Sequence, residues 1–321
     1  MNVVSAPPQS VLASYGLAFR DLQWVAVQGG FSGALIWRGE EDHQARLALK
    51  RWPSTMSASR LREIHGWLGQ AARLPFVPKV VQTLSGSTLV TEFHQLFDVT
   101  SWLPGSPCNE PTVTEVEAAC EAVAQLHSLW PPVKHGRCPG LLNRLRVLSD
   151  WLHDPTHSAP RQVPEIFQTL IPRAIATVNR QAHAAFVALE PWAELTLPLQ
   201  PCLRDLRGEH ILFSGSKVTG IVDYGAMAVD YPAVDLARLL CDLAANNAGH
   251  FTAGLAAYHR AGGQLNVPGG FVQALCRSGA VCSLIGWFVR FSEGIGPELC
   301  WNKIASRIEQ LINQLESFDP V

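Results

Sequence analysis

The sequence has little charge and no concentration of it. Charged residues make up 16% of the 321 residues, the net charge is −2, and no block of like charge occurs. A nucleic-acid-binding face or a polybasic membrane anchor needs clustered Lys and Arg. We therefore expect neither nucleic acid nor a membrane as a partner. Since 47% of the residues are hydrophobic, the chain is predicted to be globular, with enough length for two lobes that each have a core.

The cysteines lack the spacing of a metal site or a redox pair. No two of the eight stand as Cys-x-x-Cys, and several, such as Cys120, Cys241 and Cys282, lie in apolar helical stretches. Buried free thiols, and hence a cytoplasmic location, are expected. The N-terminus has no basic segment followed by a long apolar run, so no signal peptide is expected. The most apolar stretch, residues 279–289, is too short to span a bilayer and is predicted to be a buried helix.

Hydrophobic periodicity predicts an α+β fold that changes character near residue 104. Short apolar runs bounded by turns predict strands at residues 24–27, 34–37, 46–50, 79–83 and 88–91. Helical spacing predicts helices at residues 57–72, 114–129, 141–153 and 165–189, and again from Pro232. The only strand-like interruption expected after residue 104 is a hairpin of residues 211–213 and 218–222. These patterns predict a β-rich N-terminal lobe, residues 1–103, and a mostly helical lobe, residues 104–321.

Two aspartates flank the predicted hairpin in a pattern suited to phosphoryl transfer. That reaction needs one carboxylate to take the proton of the attacking hydroxyl and another to hold magnesium against the phosphates. Asp205 precedes the hairpin, and Asp223 follows it in an apolar-apolar-Asp-aromatic-Gly sequence. Either aspartate alone is more often a turn former or a cap. The pair at this spacing is much rarer by chance, so Asp205 is predicted to be the catalytic base and Asp223 a metal ligand.

These segments resemble the aminoglycoside phosphotransferase and choline kinase superfamily. Val222-Asp223-Tyr224-Gly225 is similar to that family's Ile-Asp-Phe-Gly, and residues 230–239 are similar to its Asp-Pro-x-x-Asp-Leu-Ala-Arg segment. The resemblance implies a two-lobed, protein-kinase-like fold with a small antiparallel β lobe containing one helix and a large helical lobe. It also implies ATP and Mg²⁺ as cofactors. By the same resemblance Asp235 braces the catalytic loop and His127 is structural.

The resemblance extends to a nucleotide-binding region in the first hundred residues. A glycine-rich turn stands where the family has its phosphate-covering loop, and its predicted nucleotide-binding residues are Gly29, Gly30, Ser32 and Gly33. Lys50 ends the next strand, where the family has its phosphate-binding lysine. Glu63 is then the expected partner of Lys50, being the only carboxylate between Asp42 and Glu92. Trp102 marks the connector expected to meet adenine. Alone, a glycine-rich turn is usually a plain hairpin and a strand-end lysine a solvated charge.

The catalytic loop departs from the family pattern at three positions, one of which is Arg204, as in many protein kinases. Leu203 replaces a supporting histidine, and His210 stands where the family has a magnesium-binding asparagine. Imidazole is a poor ligand for Mg²⁺. Three alternatives stay open: His210 binds a softer ion such as Mn²⁺ or acts through water, Glu209 supplies an oxygen instead, or the second metal site is absent.

The expected function is ATP-dependent transfer of the γ-phosphate to a hydroxyl of a small molecule. Residues 243–290 contain no Asp or Glu, which argues against a polycationic aminoglycoside as acceptor. Asp230, Asp242 and Glu293 are other carboxylates that can serve such an acceptor. A nucleotide-binding pseudokinase or scaffold is the main alternative, and an all-helical binding protein is the second. The sequence leaves the acceptor and the oligomeric state open.

Overall fold

The computed structural model describes residues 6–27, 33–155, 163–244, 247–267, 270–293 and 301–317. Its residues divide into two compact units, which consist of residues 1–108 with 209–225 and residues 109–208 with 226–321. The first contains an antiparallel sheet and the second is mostly helical, which confirms the predicted α+β class. The functional boundary at residues 103 and 104 stays a prediction.

The first unit is built around a five-stranded antiparallel sheet of order β1-β2-β3-β5-β4. The strands are β1 (Gln23–Val27), β2 (Leu35–Glu41), β3 (Gln44–Arg51), β4 (Val90–Glu92) and β5 (Gln95–Ser101). Three helices accompany it: α1 (Gln9–Tyr15), α2 (Ala18–Asp21) and α3 (Ala58–Ala71). Apolar side chains of α1 pack with those of the sheet, where Leu49 and Val99 are fully buried. The predicted first three strands and α3 are confirmed, whereas α1 and α2 were not predicted.

One strand prediction in the first unit is wrong, and strand β5 was not predicted. Residues 79–83 form no regular strand and meet β5 only through the isolated bridge of Val80 with Thr100. Strand β4 pairs with β5 and not with residues 79–83. Part of β5 was assigned from the sequence to the connector between the two lobes. The reason is Asp98, a carboxylate between Phe97 and Val99 in the middle of the strand, which obscures the strand pattern. The β4–β5 turn uses positive φ angles at Phe93 and His94, so no glycine marks it.

The predicted hairpin is confirmed as β8 (Ile211–Ser214) and β9 (Lys217–Ile221), and it belongs to the first unit. The contact of this hairpin with the preceding segment of the chain explains why residue 105 is a glycine. Gly105 has φ +108°, and a Cβ there would lie 2.7 Å from the carbonyl oxygen of Phe213 and against Thr219. The Thr219 hydroxyl also donates to the Pro104 carbonyl (2.6 Å). Only glycine allows this close approach.

The second unit contains seven helices within the described residues. They are α4 (Val113–Ser128), α5 (Pro139–His153), α6 (Leu170–Leu189), α7 (Ala233–Leu243), α8 (Ala248–Arg260), α9 (Phe271–Ser292) and α10 (Trp301–Glu316). Thr112 caps α4 in a capping box with Glu115, as its Thr-x-x-Glu sequence predicts. Single 3₁₀ turns occur at Glu165–Phe167, Glu190–Trp192, Gly208–His210 and Tyr224–Ala226.

The second unit also has a small sheet that was not predicted. It has the order β10-β7-β6, formed by β6 (Lys134–Gly136), β7 (Leu197–Cys202) and β10 (Ala228–Asp230). The expectation of a single hairpin after residue 104 is therefore wrong. Two strands have only three residues, and the central one contains Pro198 and Pro201, which argue against a strand in sequence.

Helix α9 is twice as long as the apolar run that predicted it. Its 22 residues are long and apolar enough to cross a membrane by length and composition alone. However, 67% of its most apolar window is buried inside the protein, as in the core helix of a globular domain. Phe288 and Leu284, for example, are fully buried.

Candidate active site

Asp205 lies on a loop after β7 whose backbone is held by one buried carboxylate. The backbone N–H groups of Leu203 and Arg204 donate to the two oxygens of Asp235, each over 2.6 Å. Asp235 is 0% exposed and stands in the first turn of α7. Arg204 has φ +66°, a conformation that is unfavourable for a non-glycine residue. The two charge-assisted bonds therefore fix a strained loop directly before Asp205.

His127 supports this carboxylate from behind. Its Nε2 lies 3.1 Å from Asp235 Oδ2, and its Nδ1 lies 2.9 Å from the Tyr258 hydroxyl. A neutral ring that donates through Nε2 and accepts through Nδ1 satisfies both bonds. Gln200 fixes the same segment by donating to the His127 carbonyl (2.9 Å). The structure thus agrees with the bracing role expected for Asp235 and the structural role expected for His127.

Cys202 joins this pair but does not make it a metal centre. Ligand atoms of His127, Cys202 and Asp235 lie within 4.8 Å of one another. However, both ring nitrogens of His127 are already in hydrogen bonds. Burial, and then the charge of Asp235, raise the pKa of the Cys202 thiol well above its ordinary value, which disfavours the thiolate that a metal needs. The group is a polar support for the loop.

The carboxylate of Asp205 is accessible and is oriented by arginines. Its side chain is 41% exposed. Arg238 Nη2 lies 3.2 Å from Asp205 Oδ1, and Arg207 Nε lies 3.5 Å from the same oxygen. Arg238 is itself fixed because its Nη1 donates to the Ser283 hydroxyl (2.7 Å). An exposed carboxylate on a fixed loop has the geometry that a general base requires.

In the first unit, Asp223 follows β9 and pairs with Lys50 of β3. Lys50 Nζ donates to Asp223 Oδ1 over 3.1 Å and lies 4.0 Å from the centre of the Trp52 ring. Burial alone raises the pKa of Asp223, but the charges of Lys50 and then His210 outweigh it, so the pKa is lowered from its ordinary value. Asp223 has φ +62°. The structure therefore brings together two residues that the sequence assigned to phosphate and metal.

His210 lies near two carboxylates that are possible metal ligands. Its Nε2 lies 3.9 Å from Asp223 Oδ2 and 3.8 Å from Glu209 Oε1, which is too long for hydrogen bonds. The three side chains do not form a compact set of ligands, because among the described residues the group of three whose ligand atoms all lie within 4.8 Å of one another is that of His127, Cys202 and Asp235. A divalent cation would therefore be held by Asp223 with either His210 or Glu209, and imidazole suits Mn²⁺ better than Mg²⁺. The backbone supports the arrangement, since Val222 N–H donates to the His210 carbonyl (2.9 Å).

The pairing predicted between Glu63 and Lys50 does not form in the described structure. Glu63 lies on the exposed face of α3, and its carboxylate pairs with Arg60 Nη1 of the same helix at 3.0 Å. The buried face of α3 instead presents residues such as Ile64 and His65. Helical spacing explains the difference, because Glu63 stands beside this apolar face and not on it.

A buried acid that sequence analysis missed joins α3 to the sheet. Asp98 is 5% exposed. Its Oδ2 lies 2.9 Å from His65 Nε2, and its Oδ1 accepts a hydrogen bond from Trp52 Nε1 (2.9 Å). Asp98 also stands directly opposite Lys50 in the β3–β5 register. The sequence contained one sign of this role, the single acidic residue between Phe97 and Val99. A carboxylate between two apolar residues of a strand needs partners if it is buried.

The remaining predicted nucleotide-binding residues lie around the β1–β2 turn and after β5. Gly29, Gly30 and Ser32 lie outside the described residues. Gly33 has φ +74° and open space where a Cβ would be. Trp102 is half-buried, with the Arg38 guanidinium 5.7 Å from its ring centre.

Comparison with known proteins identifies the family. Residues 23–270 match the model of the phosphotransferase enzyme family, APH. An aminoglycoside phosphotransferase from Alicyclobacillus acidocaldarius is similar in structure, with a TM-score of 0.62 and 18% identity over 98% of this chain and 95% of that one. A spectinomycin phosphotransferase crystallised with ADP and spectinomycin gives a TM-score of 0.67 and 10% identity, covering 93% of both chains.

A macrolide 2′-phosphotransferase from Brachybacterium faecium gives a TM-score of 0.53 and 16% identity, covering 96% of this chain and 98% of that one. At these identities the likeness to solved structures shows the fold alone. A comparison with curated protein sequences finds no match. The family model spans well over half of the chain, and the protein therefore belongs to the phosphotransferase enzyme family.

Proposed function

We propose that the protein is an ATP-dependent kinase that transfers the γ-phosphate to a hydroxyl of a small molecule. The observation that best supports this is the exposed Asp205 carboxylate, which directly follows a strained loop held by the two Asp235 hydrogen bonds. Holding a loop in an unfavourable conformation costs free energy, and such strain is concentrated at functional sites. Similar proteins crystallised with ADP or AMP-PNP support a nucleotide as the phosphate donor.

Asp205 serves as the base in this reaction. The acceptor oxygen attacks the γ-phosphorus, the bond to the bridging β–γ oxygen breaks, and ADP leaves. Asp205 takes the proton that the acceptor hydroxyl loses. Arg238 and Arg207 keep the carboxylate in one orientation (3.2 and 3.5 Å), which limits the reorganisation needed during transfer.

Lys50 and Asp223 provide the phosphate-binding half of the chemistry. The Lys50 ammonium binds phosphate oxygens, and stacking on Trp52 keeps it at the end of β3. Asp223, with His210 or Glu209 as a second ligand, would hold Mg²⁺ or Mn²⁺, which would neutralise charge on the phosphates. The proposal places ATP beside the predicted residues Gly29, Gly30, Ser32, Gly33 and Trp102, whereas Glu63 is assigned no contact with Lys50.

The loss of the family histidine at Leu203 does not weaken the proposal. The Leu203 side chain is 1% exposed, and the loop is braced through its backbone N–H, which any residue supplies. The scaffold alternative was motivated by this position and by His210. Because the brace is present without the histidine, the enzyme is the better supported of the two. The free thiols among the described cysteines support a cytoplasmic location, which we also propose.

The proposal is tested by Asp205→Asn. The variant should lose at least about a hundredfold in kcat for phosphate transfer from ATP, because the amide cannot take the proton. The assay measures ADP release with Mg²⁺ and with Mn²⁺ against a panel of amino alcohols, sugars and aminoglycosides. Affinity for AMP-PNP should stay within twofold. Asp150→Asn, on an exposed helical face, is the matched control. Unchanged turnover in Asp205→Asn would remove Asp205 from the base role.

A further inference from the structure

Positive charge exceeds negative charge around Asp205. Four guanidinium groups lie near three carboxylates: Asp205, Asp230 and the buried Asp235 that holds the same loop. The four belong to Arg144, Arg204, Arg207 and Arg238. Arg238 and Arg207 pair with Asp205, and Arg204 Nε lies 3.2 Å from Asp230 Oδ2. The group as a whole therefore has one more positive than negative charge, and all seven residues belong to the second unit.

Arg144 is the one of the four arginines that these ion pairs do not include. It lies half-buried on α5, and its Nη1 donates to the Gly140 carbonyl of the same helix (2.8 Å). In the described structure its enclosed Nε has no hydrogen-bond partner, and the same is true of Arg238 Nε. Burial lowers the pKa of Arg144, and the charge of Arg238 acts in the same direction. The charge of Asp230, which is already paired with Arg204, opposes this shift without cancelling it. A guanidinium kept here without a carboxylate of its own is costly unless a ligand supplies the negative charge.

The helix that faces these arginines offers room and no negative charge. Gly279, Ser283 and Gly286 are spaced by four and three residues, so they share one face of α9. Ser283 accepts the hydrogen bond from Arg238, and a Cβ at Gly279 would lie 3.5 Å from Arg144 Nη2. A Cβ at Gly286 would meet nothing within 4 Å. Residues 243–292 contain no Asp or Glu, so α9 adds no carboxylate to this surface.

We infer that the acceptor phosphorylated beside Asp205 is an anion, a hydroxyl compound with a carboxylate or phosphate group that binds Arg144. This inference rests on the proposed phosphotransfer function and names its acceptor class. The acceptor hydroxyl lies at Asp205 and its anionic group at Arg144, along the small-residue face of α9. A polycationic acceptor would add charge of the sign already in excess, which disfavours binding.

Three six-carbon compounds that differ in one end group test the charge preference. Gluconate has a carboxylate, sorbitol a hydroxymethyl group and glucamine an aminomethyl group. Each is titrated into protein saturated with AMP-PNP and Mg²⁺, and binding is followed by calorimetry. We expect gluconate to bind at least tenfold more tightly than either of the others. Tighter binding of glucamine, equal binding of all three, or binding of none overturns the inference.

Substitutions separate a role of Arg144 from general charge. Arg144→Gln should remove the gluconate preference, and Arg144→Lys should restore part of it, with AMP-PNP affinity within twofold throughout. Arg146→Gln is the matched control, since Arg146 lies two residues away on the same helix and pairs with exposed Asp150 (3.1 Å). Unchanged gluconate preference in Arg144→Gln contradicts the assignment. If Arg144→Gln fails to fold, Gly286→Glu is the second test, because Gly286 is at an exposed position. This variant should lower the preference for gluconate at least fivefold, and an unchanged preference contradicts the anionic acceptor.

Failure of the acceptor class and failure of the proposed function give different results. If AMP-PNP does not bind, or if ATP turnover does not depend on Asp205, the kinase proposal fails. If Asp205-dependent transfer occurs but prefers amines or neutral alcohols, the kinase proposal stands and the anionic acceptor is wrong.

Discussion

Replacing Asp235 by Asn tests whether one buried carboxylate sets the shape of the catalytic loop. Asp235 Oδ2 accepts from Leu203 N–H and lies 3.1 Å from His127 Nε2, while Oδ1 accepts from Arg204 N–H. When the amide oxygen of the introduced Asn takes the Oδ2 position, it keeps the hydrogen bonds to Leu203 N–H and His127 Nε2. Its NH₂ group then faces the Arg204 N–H, so that donor is left without an acceptor.

The size of the effect follows from this count. A hydrogen bond to a charged group contributes roughly 1.5–3 kcal/mol, and a buried donor left unsatisfied costs roughly 1–3 kcal/mol. Because the side chain is 0% exposed, water cannot replace the lost acceptor. We expect the free energy of unfolding to fall by about 3 kcal/mol. For a unit of roughly 200 residues that corresponds to a decrease in Tm of roughly 6–12 °C.

The assay is urea unfolding followed by tryptophan fluorescence, together with steady-state kinetics. The strained φ of Arg204 relaxes once its N–H bond is lost, so kcat should fall more than tenfold while KM for ATP changes little. Asp150→Asn is the control, because its pair with Arg146 is exposed and should contribute less than about 1 kcal/mol. If Asp235→Asn is no less stable than Asp150→Asn, or if kcat is unchanged, the loop does not depend on this brace.

Two further predictions concern the first unit. His210→Asn should raise the ratio of Mg²⁺-supported to Mn²⁺-supported turnover at least threefold, because an amide oxygen suits Mg²⁺ better than imidazole does. An unchanged ratio would show that His210 is not a metal ligand. Asp98→Asn should lower the free energy of unfolding by about 2 kcal/mol, because its hydrogen bonds to Trp52 and His65 are weakened. Urea unfolding measures this change, and Glu63→Gln is the control, which should have little effect. Equal stability of the two variants would contradict the role of Asp98.

Sequence patterns predicted the parts of the site that are local in the chain. Asp205, the hairpin and Asp223 lie within twenty residues, and turn chemistry and strand alternation place them without long-range information. These three features depend on short-range geometry that spacing alone expresses. The brace by Asp235 was expected only from the family resemblance, because it joins residues 32 apart in the chain.

The missed parts depend on pairing between distant segments. The partner of Lys50 was sought by elimination among nearby carboxylates, which pointed to Glu63 on helix α3. The residue that joins α3 to the sheet is Asp98, and its position opposite Lys50 follows from the β3–β5 register, which no local pattern reveals. Strand β7 was missed for a related reason. Its prolines argue against a strand locally, whereas pairing with β6 and β10 on both sides stabilises it.

The departures at Leu203 and His210 have different consequences. Leu203 changes a side chain where the structure uses only a backbone N–H, so neither the brace nor the proposed base at Asp205 depends on it. His210 changes a side chain whose Nε2 lies 3.9 Å from the Asp223 carboxylate, where the proposed cation would meet a nitrogen and not an oxygen donor. Under the proposed roles, the altered loop changes the metal preference and keeps the proton transfer, and the two effects are separable because they lie on different residues.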